Sequence, residues 1–227
     1  GVNHVITVDL HSSQLQGFFK STVDNLLAEP CLSHFIQEKF PNYKNGVVVS
    51  KNAGGAKRVT SLADKLQIDF ALIHRERYHV SRDSSADTDA DGESNDNEKG
   101  DKEQESDIET RLTLVGDVKD KICFILDDII DGTHSFLDAA EHLRRCNASA
   151  VYIIATHGIL SGNALSEIEE CKAVDQLIIT NTYPIPDWKL NTYKKLRIVD
   201  ISGVLAEAIR RNHNGESISY LFNHAII

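Results

Sequence analysis

The 227-residue chain contains no methionine and a single tryptophan, and only 7% of its residues are aromatic. With no initiator, and with Gly1-Val-Asn-His-Val-Ile-Thr-Val already reading as a strand, the expectation is a chain that starts inside a fold. No apolar run approaches the roughly 20 residues that a membrane helix needs, and no basic-then-apolar stretch is present, so neither a membrane span nor a secretory leader is expected. Nor is there a shortage of apolar residues. At 41% hydrophobic and 26% charged the composition is ordinary for a globular protein and excludes a wholly disordered chain. The length suits one large domain or two small ones.

A basic surplus is missing too. There are 24 Lys and Arg against 34 Asp and Glu, a net charge of −10. Twelve of those acids, with only Lys99 and Lys102 against them, lie between Asp83 and Glu109 and account for the whole −10. The remainder, 22 basic and 22 acidic residues, is neutral, which argues against a nucleic-acid partner while leaving room for local phosphate pockets. The four cysteines, Cys31, Cys123, Cys146 and Cys171, form no CxxC pair and sit in or beside apolar stretches. They read as buried free thiols of a reducing compartment, which makes the expected location cytoplasmic and the Asn147-Ala-Ser149 sequon a chance match.

What is present is an alternation of strands and helices. Apolar runs predict strands at Val5–Leu10, Gly46–Ser50, Phe70–His74, Ile122–Asp127, Val151–Thr156, Gln176–Thr180 and Leu196–Asp200. Helices are predicted at Val59–Leu66, Ser135–Cys146, Ala164–Glu170 and Val204–Arg211, the second on a Phe136, Ala139, Ala140, Leu143 stripe. Near-continuous apolar strands between helices predict an α/β fold whose mostly parallel sheet is covered by helices on both faces. Ser81–Thr110 breaks the pattern. With no aromatic residue and Ile108 as its one large aliphatic, it cannot bury enough surface to offset its ordering entropy and is expected to be a disordered acidic insert. Within it Asp87, Asp89, Asp91, Gly92 and Glu98 match calcium-loop spacing, but Ser94 takes an aliphatic position and no amphipathic helices flank the loop, so a solvated linker is the better reading. Ser84, Thr88 and Ser106, each three residues before an acid, are candidate sites for acid-directed phosphorylation.

The strongest local motif runs from Lys121 to Ser135. An apolar strand ends in Asp127-Asp128, and the turn Asp131-Gly132-Thr133-His134-Ser135 opens a helix. Unpaired N–H groups and hydroxyls at such a turn suit a phosphate, and two acids at a strand end can accept hydrogen bonds from vicinal hydroxyls. A strand end followed by an ordinary helix cap would look similar.

Other segments give the motif a context. Asp9-Leu-His11-Ser-Ser13-Gln14-Leu-Gln16-Gly-Phe-Phe, Asn52-Ala-Gly-Gly-Ala-Lys57-Arg58, His74-Arg75-Glu76-Arg77, Leu114-Val-Gly-Asp-Val-Lys, Thr156-His-Gly-Ile-Leu-Ser-Gly, Ala206-Glu-Ala-Ile-Arg-Arg and Asn214-Gly-Glu-Ser-Ile-Ser-Tyr-Leu-Phe222 follow in order. With them the chain resembles the ribose-phosphate diphosphokinase (phosphoribosyl pyrophosphate synthetase) family over essentially everything outside the acidic insert. The resemblance implies a phosphoribosyltransferase-type domain at 42–207, interrupted at 81–110. It also implies a remnant of a second, similar N-terminal domain at 1–41 and a C-terminal segment, 208–227, packing toward that domain. It implies transfer from magnesium ATP to ribose 5-phosphate, giving phosphoribosyl pyrophosphate and AMP for nucleotide biosynthesis, by positioning and charge stabilisation. By resemblance Arg75 and Arg77 would be catalytic and meet the phosphates. Asp127 and Asp128 would hold the ribose, and Asp131, Gly132, Thr133, His134 and Ser135 its 5-phosphate. Asp9, His11 and Asp24 would serve Mg2+, and Ser13, Gln16 and Asn25 would fall on an allosteric phosphate region.

The departures cluster at the chemistry. Lys20 stands where the family has an acid, Asn52 replaces an aspartate, Arg75 a lysine, and His134 a glycine. The family's N-terminal portion, which supplies most adenine contacts, is missing from this sequence, and ten net negative charges beside a polyanion site would weaken ATP and ribose 5-phosphate binding. Asp127-Asp-Ile-Ile-Asp131 resembles the non-catalytic synthetase-associated proteins. The expected function is therefore a divergent supporting or regulatory subunit in a hetero-oligomer with paralogous synthetase subunits. Its alternatives are an active synthetase whose N-terminal half lies outside this sequence, or a non-enzymatic sugar-phosphate-binding module. Apolar surface is expected around Phe18, Phe19, Leu26 and Leu27, with dependence on a partner. Trp188 is expected to pack.

Overall fold

A computed structural model describes residues 1–79 and 108–226. The sheet is built from apolar runs that alternate sides with the two-residue period of extended chain. In β3 (Gly46–Ser50) Val47 and Val49 enter one core and Val48 the other. In β6 (Ile122–Ile130) Cys123 and Ile125 face the first core, Phe124 and Leu126 the second. β7 (Ala150–Gly158) and β8 (Gln176–Thr180) divide the same way, Ile153 and Ile179 against Ile154 and Ile178. Strands apolar on both sides need cover on both sides. On the first face α3 (His134–Arg145) and α4 (Ala164–Glu170) supply it, and on the second α1 (Glu29–Lys39), α2 (Ala56–Leu66) and α6 (Ser202–Asn214).

With β4 (Asp69–His79), β5 (Ile108–Val115) and β9 (Leu196–Val199), the seven-stranded sheet has the order β5-β4-β3-β6-β7-β8-β9. All neighbours are parallel except the β4–β5 hairpin. The expected mostly parallel α/β sheet with helices on both faces is therefore what forms. A separate pair, β1 (His4–Val8) and β2 (Thr22–Leu26), is also parallel.

The helices follow their apolar spacing. α2 buries Val59, Leu62, Ala63 and Leu66, at i, i+3, i+4 and i+7. It is introduced by Asn52, whose side chain accepts the Gly55 N–H at 3.0 Å. It ends at Gln67, which takes the left-handed φ of 54° while Ile68 N–H returns to Ala63 O. α6 stops in the same manner at Gly215 (φ 68°), with Glu216 N–H closing on Arg211 O, and here the residue that tolerates that angle is in place.

Several expectations need correction. β4 runs five residues past His74, because β5 pairs with it antiparallel from Leu72↔Val115 to His79↔Ile108. β5 therefore begins inside the span expected as insert. The calcium-loop match at 87–98 and the candidate phosphorylation positions lie outside the described residues. α1, β2, β5 and α5 (Asp187–Thr192) had no counterpart among the predicted elements. Phe18 and Phe19 are exposed, at 84% and 43%, but Leu26 is buried and Leu27 half-buried, since α1 folds β2 onto the second core. Trp188 is 60% exposed rather than packed, its ring meeting the Lys189 ammonium at 5.7 Å. Cys31 and Cys123 are buried, whereas Cys146 and Cys171 are only half-buried; all four are free. No helix among the described residues is long and apolar enough to cross a membrane.

Candidate functional site

The strand order places the site. From β3 the chain leaves toward β4 on one side, and from β6 toward β7 on the other, so a crevice opens beyond the C-terminal ends of β3 and β6. Such a switch point is where open α/β sheets bind ligands. The crevice has a volume of about 510 Å³ and is lined by His11, Lys51, Asn52, Gly54, Gly55, Arg58, Asp127, Asp128 and Ile129. A second cavity of about 280 Å³ lies beside it, between α2 and the first 32 residues, and takes in Asp9, Asn25, Lys57 and again His11 and Arg58.

The charges in the crevice are paired among themselves. Lys51 Nζ lies 3.0 Å from Asp127 Oδ2 and donates to Ser135 Oγ at 3.2 Å, with the Phe136 ring centroid 4.3 Å away. Arg58 NH1 reaches Asp127 Oδ1 and Asp128 Oδ1, each at 3.4 Å. His11 Nδ1 donates to Asp128 Oδ2 at 2.5 Å. Asp128 is 1% exposed, and its Oδ1 has no hydrogen-bond partner, Arg58 being close but not aligned to donate. Burial pushes the Asp127 carboxyl up, with Asp128 beside it adding to the rise and Lys51 opposing it. Burial acts on Asp128 too, but hydrogen bonds from Asp127 and His11, and the charge of Arg58, outweigh it and hold Asp128 low.

The turn after β6 is open. Asp131 is exposed, and hydrogen bonds from Ser161, first its hydroxyl and then its N–H (3.0 Å to Oδ1), keep its carboxyl below the usual range. Gly132 is exposed with free space where a side chain would stand, while Thr133 is buried and hydrogen-bonds the Glu167 carboxylate. His134 is exposed and opens α3. The N–H groups of Phe136 and Leu137 bond to Thr133 O, so those of His134 and Ser135 have no intrahelical acceptor, as at any helix start.

The other site residues expected from the sequence are spread out. Arg75 does not line the crevice; its guanidinium meets Asp138 Oδ2 on α3 at 2.9 Å. Arg77 stands on β4 opposite Thr110. Asp9, at φ 44°, is buried and accepts from Thr156 Oγ1 at 2.6 Å and Ala28 N–H at 3.2 Å; burial, first of all, raises its pKa. Asp24 pairs with His4 at 2.7 Å. Asn25 Oδ1 accepts from Thr7 Oγ1 and Leu10 N–H, while Ser13 and Gln16 lie on a 3₁₀ turn at 13–18. Asp9, His11 and Asp24 are thus each engaged by a different protein partner. Among the described residues no group of three or more His, Cys, Asp or Glu side chains is arranged to hold a metal ion. Asp9 and Asp24 thus stand in separate hydrogen-bonded pairs rather than in one shared cluster.

Lys51 was missed in the sequence, although a signal existed: it is the first charge after the wholly buried strand Gly46–Ser50, at the end that opens on the crevice. The Arg75–Asp138 pair is partly exposed at both ends, 27% and 48%. Asp138→Asn is accordingly expected to lower the unfolding free energy by no more than about 1 kcal/mol in urea denaturation, a larger loss meaning that the pair is shielded from water.

Residues 42–223, from the approach to β3 to the last helical turn of the chain, match the phosphoribosyl synthetase-associated domain. The chain belongs to the phosphoribosyl pyrophosphate synthetase family. It is similar to the phosphoribosylpyrophosphate synthetase of Mycobacterium smegmatis, with 31% identity and a TM-score of 0.74 over 95% of this chain. It spans 60% of that synthetase. A purine phosphoribosyltransferase of Pyrococcus horikoshii (15% identity, TM-score 0.38, 75% of this chain and 81% of that one) is a far more distant likeness. So is the adenine phosphoribosyltransferase of Trypanosoma brucei (13%, 0.42, 77% and 64%).

Proposed function

We propose that this chain is a divergent subunit of ribose-phosphate diphosphokinase, which converts ATP and ribose 5-phosphate to phosphoribosyl pyrophosphate and AMP in nucleotide biosynthesis. In this reading it supports or regulates catalytic paralogues in a cytoplasmic hetero-oligomer. The observation that carries the reading is the pairing of its charges. Phosphoryl transfer needs cations free to meet the transferred group and carboxylates free to position metal and sugar. Here Arg75 is spent on Asp138, Asp9 on Thr156 and the Ala28 N–H, and Asp24 on His4. Magnesium enters this scheme with ATP, as the substrate's own counter-ion. The sugar-phosphate side is better preserved, since Asp127 and Asp128 line the crevice and the turn that follows the same strand leaves Asp131, Gly132 and His134 exposed. The exposed Phe18 and Phe19 supply apolar surface for a partner subunit.

The test is synthesis of phosphoribosyl pyrophosphate by the full gene product, alone and co-expressed with a catalytic family member. Silence alone, with activity on co-assembly raised above the partner's own, is the expected result. Robust activity alone would overturn the supporting role and establish the active-synthetase reading.

A further inference from the structure

Two features of the crevice remain unexplained by the pairing inside it. The first is Asp128, which lines the crevice and whose buried Oδ1 has the Arg58 guanidinium 3.4 Å away but no aligned hydrogen-bond donor. A buried carboxylate oxygen without a donor costs free energy unless something supplies one, and a ligand hydroxyl would. The second is Lys51. Its side chain is 15% exposed, yet it spans from the end of β3 to the first turn of α3. An ammonium has three N–H donors; Asp127 Oδ2 and Ser135 Oγ take two, and the Phe136 ring lies 4.3 Å from the nitrogen with no third hydrogen-bond acceptor among the described residues.

We infer that Lys51 is a phosphate-binding residue of this crevice, a tethered cation that receives the phosphate of a sugar phosphate whose hydroxyls satisfy the Asp127–Asp128 pair. The inference rests on the sugar-phosphate reading above and adds a residue to it. A phosphate oxygen accepting from Ser135 Oγ at about 2.8 Å lies within about 6 Å of Lys51 Nζ, because that nitrogen is itself 3.2 Å from the same hydroxyl. Turning the flexible end of the lysine side chain closes that gap. The dianion would draw the ammonium off Asp127 Oδ2, and the freed oxygen would then accept from the sugar. One ligand with hydroxyls at one end and phosphate at the other thus meets both unspent groups. Lys51 supplies positive charge from the chain itself, so binding is expected without added metal.

The experiment is isothermal titration of the full chain with ribose 5-phosphate in EDTA, on the wild type, Lys51→Met and Lys51→Arg. Wild type is expected to bind without added metal. Lys51→Met is expected to weaken binding by about tenfold to hundredfold, the range for losing a hydrogen bond to a charged group. Lys51→Arg, which keeps the charge, should lose less than about fivefold. Unchanged affinity in Lys51→Met would overturn the inference while leaving the sugar-phosphate reading intact. Tighter binding in Lys51→Met would overturn it too, since Lys51 would then be a plug on Asp127. A wild type that binds no ribose 5-phosphate would overturn the sugar-phosphate reading itself, and the role of Lys51 with it. Should Lys51→Met fail to fold, the wild type's lysine ammonium resonance that is missing from the Lys51→Arg spectrum must shift on adding ribose 5-phosphate; a static resonance counts against the proposal.

Discussion

Phe124→Ala is expected to cost about 3–5 kcal/mol of unfolding free energy, the range for emptying a fully buried aromatic site. Phe124 is 0% exposed on β6. Its ring meets Phe40 edge-on at 5.5 Å and stacks on Tyr152 at 5.7 Å, while Phe40 and Tyr152 touch one another at 4.6 Å. A third side of the site is backbone. A Cβ added to Gly46 would stand 2.8 Å from Phe124 Cε2, so the ring is pressed against the strand beside it. Removing it leaves a hole bounded by two rings and a sheet, none of which can move in without breaking other contacts. Domains of this size are stable by about 5–15 kcal/mol, so the loss takes a large share. Ile129 on the same strand, 42% exposed, is the control, and Ile129→Ala should cost less than about 1 kcal/mol. Urea denaturation of both variants reads the difference. A Phe124→Ala loss below about 1 kcal/mol would mean that this face of the sheet is loosely packed.

The legible parts of the fold were those in which one strand or helix carries its own pattern. Gly46–Ser50, Gln176–Thr180 and Ala164–Glu170 form as the periodicity predicts, to the residue. Elements that exist only through their partners were not legible. β5 alternates Leu112 and Leu114 with Arg111 and Thr113, a weak signal at the edge of an acidic run, and forms because β4 offers it a ladder. α1 opens Glu-Pro-Cys-Leu, and its Cys31, Leu32 and Ile36 become core only when α2 and β9 lie beneath them. The site divides in the same way. The placing of Asp127 and Asp128 at a strand end, with the turn to Ser135 opening a helix after them, could be read because strand end, turn and helix are contiguous. Which cation answers each acid could not. The partners of Asp127, Asp128 and Arg75 lie 76, 117 and 63 residues away in Lys51, His11 and Asp138, and spacing says nothing about such pairs.

The cysteines should separate by chemistry as sharply as the core does by stability. Burial, chiefly, pushes the Cys123 thiol up to about 12, Arg144 and Lys121 only partly opposing it. Alkylation needs the thiolate. At pH 8 a thiol at its ordinary 9.0 is about one-tenth ionised and one at about 12 is ionised only about one part in ten thousand. Cys123 should therefore react about a thousandfold more slowly than an unperturbed thiol even before its complete burial is counted. Cys31 is raised as well, again by burial first, and should follow the half-buried Cys146 and Cys171. Iodoacetamide at pH 8 with peptide mass spectrometry gives the order directly, and early labelling of Cys123 would show that β6 opens well short of global unfolding. The same shift fixes a sign for stability. Above pH 9 the unfolded chain loses the Cys123 proton while the folded one keeps it, so ν_U − ν_N is negative. Stability should then fall with rising pH between about 9 and about 12, by up to about 1.4 kcal/mol per unit from this residue. Cys123→Ala removes that slope at the cost of a small cavity. A variant that keeps the wild-type alkaline slope would place the titrating group elsewhere.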